Sequence, residues 1–375
     1  MNLPETLLDR LKLLSSVFLV FIFIRSFFDR DPTRCAQLID TEGNYYPDHK
    51  QNTKLYQPPG CMYHNYTLKD VQSCFSEKPL LILGDSRARQ IYHRVITTGT
   101  FQSLQVKSHT SASTSQPNVE FIWAENADAI GDAIGRIKSS EINTPAAIII
   151  QNGLWTLKSS NGDSSGEQDF RDQLNSLAPK LDEFKSLYPG ITIGWMLNED
   201  TEPEKLRADR APLSPKNIQT YNEIVKTALS STKVDIIRTN RCIAKKSPYG
   251  LSSDGLHYIE NGETDQETIG ESEALNQVNN LLLNYVCNRV ISPSDATCCV
   301  PREPISPVQL LMACFGIGFI GLYLFYQNKS KQGYTPVGDD LEGQKPVQNE
   351  YQALLDVLWA LVKYSAIMQR VQIYF

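Results

Sequence analysis

Histidine is scarce in this chain of 375 residues, at five, and a basic stripe is missing altogether. Its 36 lysines and arginines face 42 aspartates and glutamates, for a formal charge of −6. Binding to DNA or RNA needs clustered cations against phosphates, so no nucleic-acid partner is expected. None of the eight cysteines has the paired Cys-x-x-Cys spacing of a zinc ribbon, so no metal is expected either. No internal repeat is visible, which excludes a repeat array.

What is present reads as a globular chain, 41% hydrophobic and 21% charged, long enough for two or three domains. Two apolar runs bracket most of it. Residues 13–28 (LLSSVFLVFIFIRSFF) read as a transmembrane signal anchor, because no small-residue cleavage site follows them. Residues 308–326 are uncharged and nearly span a ~30 Å hydrocarbon core at about 1.5 Å per residue. Two crossings put residues 1–12 and the polar linker 327–350 on one side and residues 29–307 on the other. Lys329 and Lys331 mark the cytosolic face. Residues 351–375 read as an incomplete membrane helix or divergent tail. Seven cysteines and the sequon Asn65-Tyr66-Thr67 lie between the spans, so disulfides, glycosylation at Asn65 and a lumenal or extracellular setting are expected. Seven is odd: at least one cysteine is unbridged or pairs between chains.

The chemistry centres on Leu80-Leu81-Ile82-Leu83-Gly84-Asp85-Ser86. Four apolar residues after Pro79 read as a buried strand, Gly84 as a sharp turn, and Asp85 or Ser86 as the start of a helix running through Val95. A serine there sits at the carboxyl edge of a sheet, where ligands of open α/β folds bind, and beside backbone N–H groups that can receive an oxyanion. Taken alone, Gly-Asp-Ser suits simple helix capping better than catalysis. The second signal is Asp254-Gly255-Leu256-His257. A serine hydroxyl needs a base, histidine has the right pKa, and an aspartate three residues ahead can orient it.

Between these words strand and helix alternate. Strands are expected at 119–123, 145–150, 191–197 and 234–237, and helices at 127–138, 168–187, 215–229 and 266–285. Residues 29–78 read as a loop-rich, disulfide-pinned collar, 110–117 as a polar surface loop, and 159–167 as a flexible loop that could serve as a lid. Alternation favours a three-layer α/β sandwich with a central parallel sheet, flanked by single transmembrane helices. Asn152, after the strand ending near Ile150, is a candidate second oxyanion donor beside the Ser86 backbone N–H, or an ordinary Asn-Gly turn. Trp155 walls a pocket or simply packs. Arg87 and Arg89 face phosphates or lie on a solvated helix face.

The blocks Gly84-Asp85-Ser86 and Asp254-x-x-His257 resemble the SGNH/GDSL hydrolase superfamily. The words LILGDSRARQIYHRV, QNGLWTL and SSDGLHY are similar to the N-terminal part of the vertebrate-type sialate 9-O-acetyltransferase family, to about Met368. That resemblance implies a catalytic triad of Ser86, Asp254 and His257, acetyl-CoA as donor, CMP-sialic acid or a sialoglycan as acceptor, contact with membrane lipid, and a lumenal catalytic domain in the Golgi membrane. It also implies two departures. The family's multi-span domain is absent, as in a truncated isoform or gene model, and the superfamily's oxyanion glycine block has no clear equivalent at residues 110–130. Two other functions fit the same residues: a lumenal O-acetyl esterase with this triad, and an anchored glycan-binding protein with a vestigial one.

Overall fold

The segment before the Gly-Asp-Ser turn, expected to be loop-rich, is partly regular. It holds helix α1 (Pro32–Asp40), a hairpin of β1 (Asn44–Asp48) and β2 (Thr53–Gln57), and helix α2 (Leu68–Cys74). A capping box starts α2, with the Thr67 side chain and the Asp70 carboxylate each accepting the other's backbone N–H. The hairpin escaped the sequence because Pro47 lies inside β1 and neither strand alternates cleanly.

Then follow β3 (Leu80–Gly84), α3 (Ser86–Ile96), β4 (Gln105–Val106), β5 (Ala112–Ser115), β6 (Asn118–Trp123) and α4 (Ala127–Lys138). The second half holds β7 (Ala147–Gln151), α5 (Leu154–Ser159), α6 (Ser164–Leu187), β8 (Thr192–Met196), α7 (Pro215–Leu229), β9 (Asp235–Ile237), α8 (Thr239–Lys246), β10 (Glu267–Thr268) and α9 (Glu273–Ile291). The computed structural model describes residues 32–48, 53–99, 105–106, 109–247, 254–258, 267–268 and 272–300. All of them fall within one compact unit, Ser16–Pro304. Both expected spans, residues 1–12, the linker 327–350 and the tail 351–375 lie outside the described residues. Among the described residues no helix is long and apolar enough to cross a membrane.

Six strands form one sheet in the order β5-β6-β3-β7-β8-β9, parallel except for β5. Every residue of β3, β7 and β8 is buried, as a sheet covered on both faces requires. Side chains alternate between two cores. Leu80 and Ile82 pack with Ile91 and Val95 of α3 and with Leu275, Val278 and Leu282 of α9. Leu81 and Leu83 pack with Ile130 and Ile134 of α4, Phe170 and Leu174 of α6, and Ile218 of α7. The expected three layers are therefore present. In the parallel part, the first strand of the chain lies between the second and the third. The strand order thus reverses between β3 and β7, and ligands of such sheets bind at that crevice.

Three expectations are corrected. Residues 110–117 are not a loop: β5 pairs antiparallel with β6, and its alternate half-exposure suits the serines and threonines of an edge strand. Residues 159–167 form no lid loop either. Helix α5 runs into them, and α6 begins four residues earlier than expected because Asp163 caps it, its Oδ1 accepting the Gly166 N–H at 2.9 Å. The last helix is displaced to Glu273–Ile291, and α8 was not foreseen.

Among the described residues three disulfides, Cys35–Cys299, Cys61–Cys298 and Cys74–Cys287, tie the segment 35–74 to α9 and the stretch just after it, leaving Cys242 unbridged. Each closes a loop of more than 200 residues. Alone, any one of them would remove about 5 kcal/mol of unfolded-chain entropy; because the loops are nested, their effects do not add.

Candidate active site

Gly84 ends β3 at the level of Gln151, with φ 149°. A Cβ there would collide with the Gln151 carbonyl, so only glycine lets the chain leave the sheet at this point. Asp85 caps α3, its Oδ1 accepting the Arg87 N–H at 3.1 Å. The carboxyl is wholly buried. Burial pushes its pKa up to about 6, against the lowering pull of that bond and of the Arg87 and His257 charges. Ser86 is the first residue of α3, partly exposed, at a helix start whose N–H groups have no helical acceptor.

The base arrives on a loop that folds on itself. Asp254 Oδ1 accepts the backbone N–H groups of Leu256 at 2.9 Å and His257 at 2.8 Å. Gly255 sits between Asp254 and Leu256 at φ 69°, and a Cβ there would meet the Glu202 carbonyl. Asp254 Oδ2 lies 2.7 Å from His257 Nδ1, and His257 Nε2 lies 2.8 Å from Ser86 Oγ. Burial raises the Asp254 pKa, but the His257 ring hydrogen bond, the His257 charge and the two backbone bonds outweigh it and hold the carboxyl well below the usual range. An ionised carboxylate only accepts, so Nδ1 carries the imidazole proton and Nε2 is left to accept from the Ser86 hydroxyl. The structure thus brings Ser86, His257 and Asp254 into one relay, aimed from the carboxyl edge of β3 beside the β3/β7 crevice.

A small cleft of about 90 Å³ opens over Ser86. Trp155 and Arg89 line it, with Lys158, His109, Leu213 and Arg210. The Trp155 ring meets His109 edge-on at 5.0 Å, and the Arg89 guanidinium lies over Trp123 at 5.4 Å.

Arg210 is a residue that sequence reasoning missed. From a short 3-10 turn (Ala208–Arg210) its Nη1 donates to Asp254 Oδ2 at 2.6 Å, the same oxygen that faces His257. No local pattern joins a lone arginine in an irregular stretch to an aspartate 44 positions on.

Two expected site residues do not line the cleft. Arg87 is wholly buried beneath it, its guanidinium taken up by protein groups. Its Nε donates to the Leu256 carbonyl at 3.0 Å, and its Nη1 to the Glu199 carbonyl at 2.7 Å and Oε2 at 3.2 Å. Glu199 also receives Gln151 Nε2 at 2.9 Å and Asn240 Nδ2 at 2.7 Å. A guanidinium in this position must be paired, and here the pairing ties the Ser86 helix to the carbonyl just before His257. Asn152 is buried as well, its Nδ2 donating to the Ala124 carbonyl at 2.8 Å. Its backbone carbonyl receives Asn198 Nδ2 at 2.8 Å, so the ends of β7 and β8 are pinned together. Asn65 of the sequon is exposed. Among the described residues no group of three or more His, Cys, Asp or Glu side chains could hold a metal ion.

No family model matches the chain. Among solved structures, a lipase/acylhydrolase from Enterococcus faecalis is 12% identical, covering 60% of this chain and 99% of that one, at TM-score 0.35. The acetylxylan esterase Axe2 from Geobacillus stearothermophilus is 12% identical, covering 56% and 94%, at TM-score 0.33. The chain spans about a third of the length of the curated relative it matches, covering 36% of that protein. With 25% identity over 300 residues, 78% of this chain, it is similar to the N-acetylneuraminate (7)9-O-acetyltransferase of Danio rerio.

Proposed function

We propose that the domain is an O-acetyltransferase that moves acetyl from acetyl-CoA through Ser86 to the 9-hydroxyl of sialic acid, free or CMP-activated. The observation that carries this reading is the Ser86–His257–Asp254 relay, with contacts of 2.8 and 2.7 Å, at the switch point of the sheet. The similarity to a sialate acetyltransferase supports the substrate class.

His257 Nε2 takes the Ser86 proton as Oγ attacks the thioester carbonyl. The tetrahedral oxyanion is received by the Ser86 backbone N–H at the start of α3, a donor of a kind worth about 3 kcal/mol. The intermediate collapses, the C–S bond breaks, and the thiolate leaves with the proton held by His257. In the second half His257 deprotonates the sugar hydroxyl, which attacks the acetyl carbonyl. Ser86 leaves and regains a proton from His257. Asp254 keeps His257 in the required tautomer and stabilises the imidazolium.

Three disulfides and an exposed sequon asparagine support an oxidising lumenal setting, in the Golgi membrane on this reading. Hydrolysis is the second reading, favoured by the partial exposure of Ser86, which lets water reach an acetyl-enzyme. One experiment separates them. The full chain, in detergent, is incubated with acetyl-CoA with and without CMP-sialic acid, and CoA and acetylated sugar are followed together. CoA release matched by acetyl-sugar and lost in Ser86→Ala establishes transfer. CoA release that ignores the sugar and yields acetate establishes an esterase, and full transfer by Ser86→Ala rejects both readings.

A further inference from the structure

Three permanent cations, Arg89, Lys158 and Arg210, line the cleft, and its described lining contains no carboxylate. Two of the three pair with carboxylates that are not part of the lining. Lys158 Nζ pairs with Asp209 Oδ2 at 3.3 Å, and Arg210 Nη1 with Asp254 Oδ2 at 2.6 Å, their side chains 32% and 20% exposed. Arg210 spends one N–H of five on that bond and still faces the cleft. The same Asp254 oxygen must serve His257, so its charge is divided between an imidazole and a guanidinium.

We propose that Arg210, with Lys158, forms a subsite for an oxyanion of the acyl acceptor, a carboxylate or a phosphate, and that filling it releases Asp254 to act fully on His257. The proposal rests on Ser86 carrying the acyl group. With the subsite empty, Arg210 holds part of the Asp254 charge, and the imidazolium that must form as water is deprotonated is poorly stabilised. The acetyl-enzyme therefore survives. With an acidic acceptor in place the guanidinium fork turns to the ligand, where it can bind bidentately. Asp254 then supports His257 as the sugar hydroxyl loses its proton. Arg210 is thus a specificity-determining residue: it couples recognition of an acidic acceptor to the strength of the base, in a cleft open to water.

The test uses the full chain, acetylated with the neutral ester p-nitrophenyl acetate, and follows loss of acetyl from Ser86. N-acetylneuraminate is compared with its methyl ester to read the carboxylate, and CMP-sialic acid with the free sugar to read the phosphate. The expected result is at least tenfold faster deacylation by the more anionic member of one pair. In Arg210→Gln that preference disappears and hydrolysis of the acetyl-enzyme by water rises several-fold; Arg210→Lys recovers part of the preference, as a point charge without the fork does. Indifference of the natural chain to both pairs overturns the proposal whether or not the variants fold, and so does a preference that survives in Arg210→Gln. Failure to form any acetyl-enzyme rejects the nucleophile itself, a different failure from that of the subsite.

Discussion

Replacing Asp254 by asparagine changes one atom, and the surroundings decide which way the amide turns. The Oδ1 position accepts two backbone N–H groups, from Leu256 and His257, while Oδ2 faces the His257 ring and Arg210. Placing the new NH2 toward the backbone would break both loop bonds and set donor against donor. At about 1–3 kcal/mol for each buried group left unmade, that orientation costs about 2–6 kcal/mol. The opposite orientation is cheaper, because the imidazole can change tautomer and Arg210, 20% exposed, can swing away. The amide then donates to Nδ1, the proton moves to Nε2, and Nε2 can no longer accept from Ser86. Recovering the productive tautomer means paying back the same difference, a loss of roughly 30-fold to 10⁴-fold at 1.4 kcal/mol per decade; about 10⁴ is the cost of this change in serine-protease triads. The assay is the rate of Ser86 labelling by a fluorophosphonate, or of acetylation by p-nitrophenyl acetate, beside a thermal melt. Labelling within tenfold of the natural rate in a folded Asp254→Asn chain would refute the tautomer argument.

Two further outcomes concern the buried charges under the site. Arg87→Met leaves Glu199 buried without its cation and is expected to cost about 3–5 kcal/mol in denaturant unfolding, with Arg87→Met/Glu199→Gln recovering a large part; a single variant within 1 kcal/mol of the natural chain would contradict the pairing. Asp85, raised from 3.8 to about 6 by burial, binds more protons folded than unfolded between those values, so its contribution to stability falls as pH rises from about 4 to 6. At about 1.4 kcal/mol per unit the difference is about 3 kcal/mol. Asp85→Asn should therefore be more favourable relative to the natural chain at pH 7 than at pH 4 by that amount, and an equal difference at both pH values would sink the assignment.

The elements legible in the sequence were those whose cause is local. A fully covered strand such as β3 or β7 is a run of apolar residues, a sharp turn needs Gly84, and the Asp254–His257 geometry is closed within four residues by Oδ1 and Gly255. Most of what escaped was set by distant contacts. Arg87 reads as an exposed cation of a helix start until Glu199, Gln151 and Asn240 arrive from other strand ends and helices to enclose it. Arg210 reads as one charge among several in the stretch 202–210 until the 3-10 turn lays it against Asp254. The serines and glycines of 159–167 look like a mobile loop because capping and tight-turn residues are the same residue types, and only Asp163 bonding to Gly166 shows which they are. Cysteine pairing depends on where α9 returns, which no spacing records.

The three bridges also determine how the domain carries a load. Cys35 and Cys299 stand 4.5 Å apart between their Cα atoms, so the chain enters and leaves the domain at one clasp. Tension on the segments outside is borne by covalent bonds across that clasp and bypasses the 264-residue span within. Ser86 and His257 both lie inside that span, on different elements held together by noncovalent contacts. Pulling on both ends should leave their 2.8 Å contact untouched while the clasp is oxidised. Once the bridges are reduced, the same pull passes through helices and strands, and it can separate the nucleophile from its base before the sheet gives way.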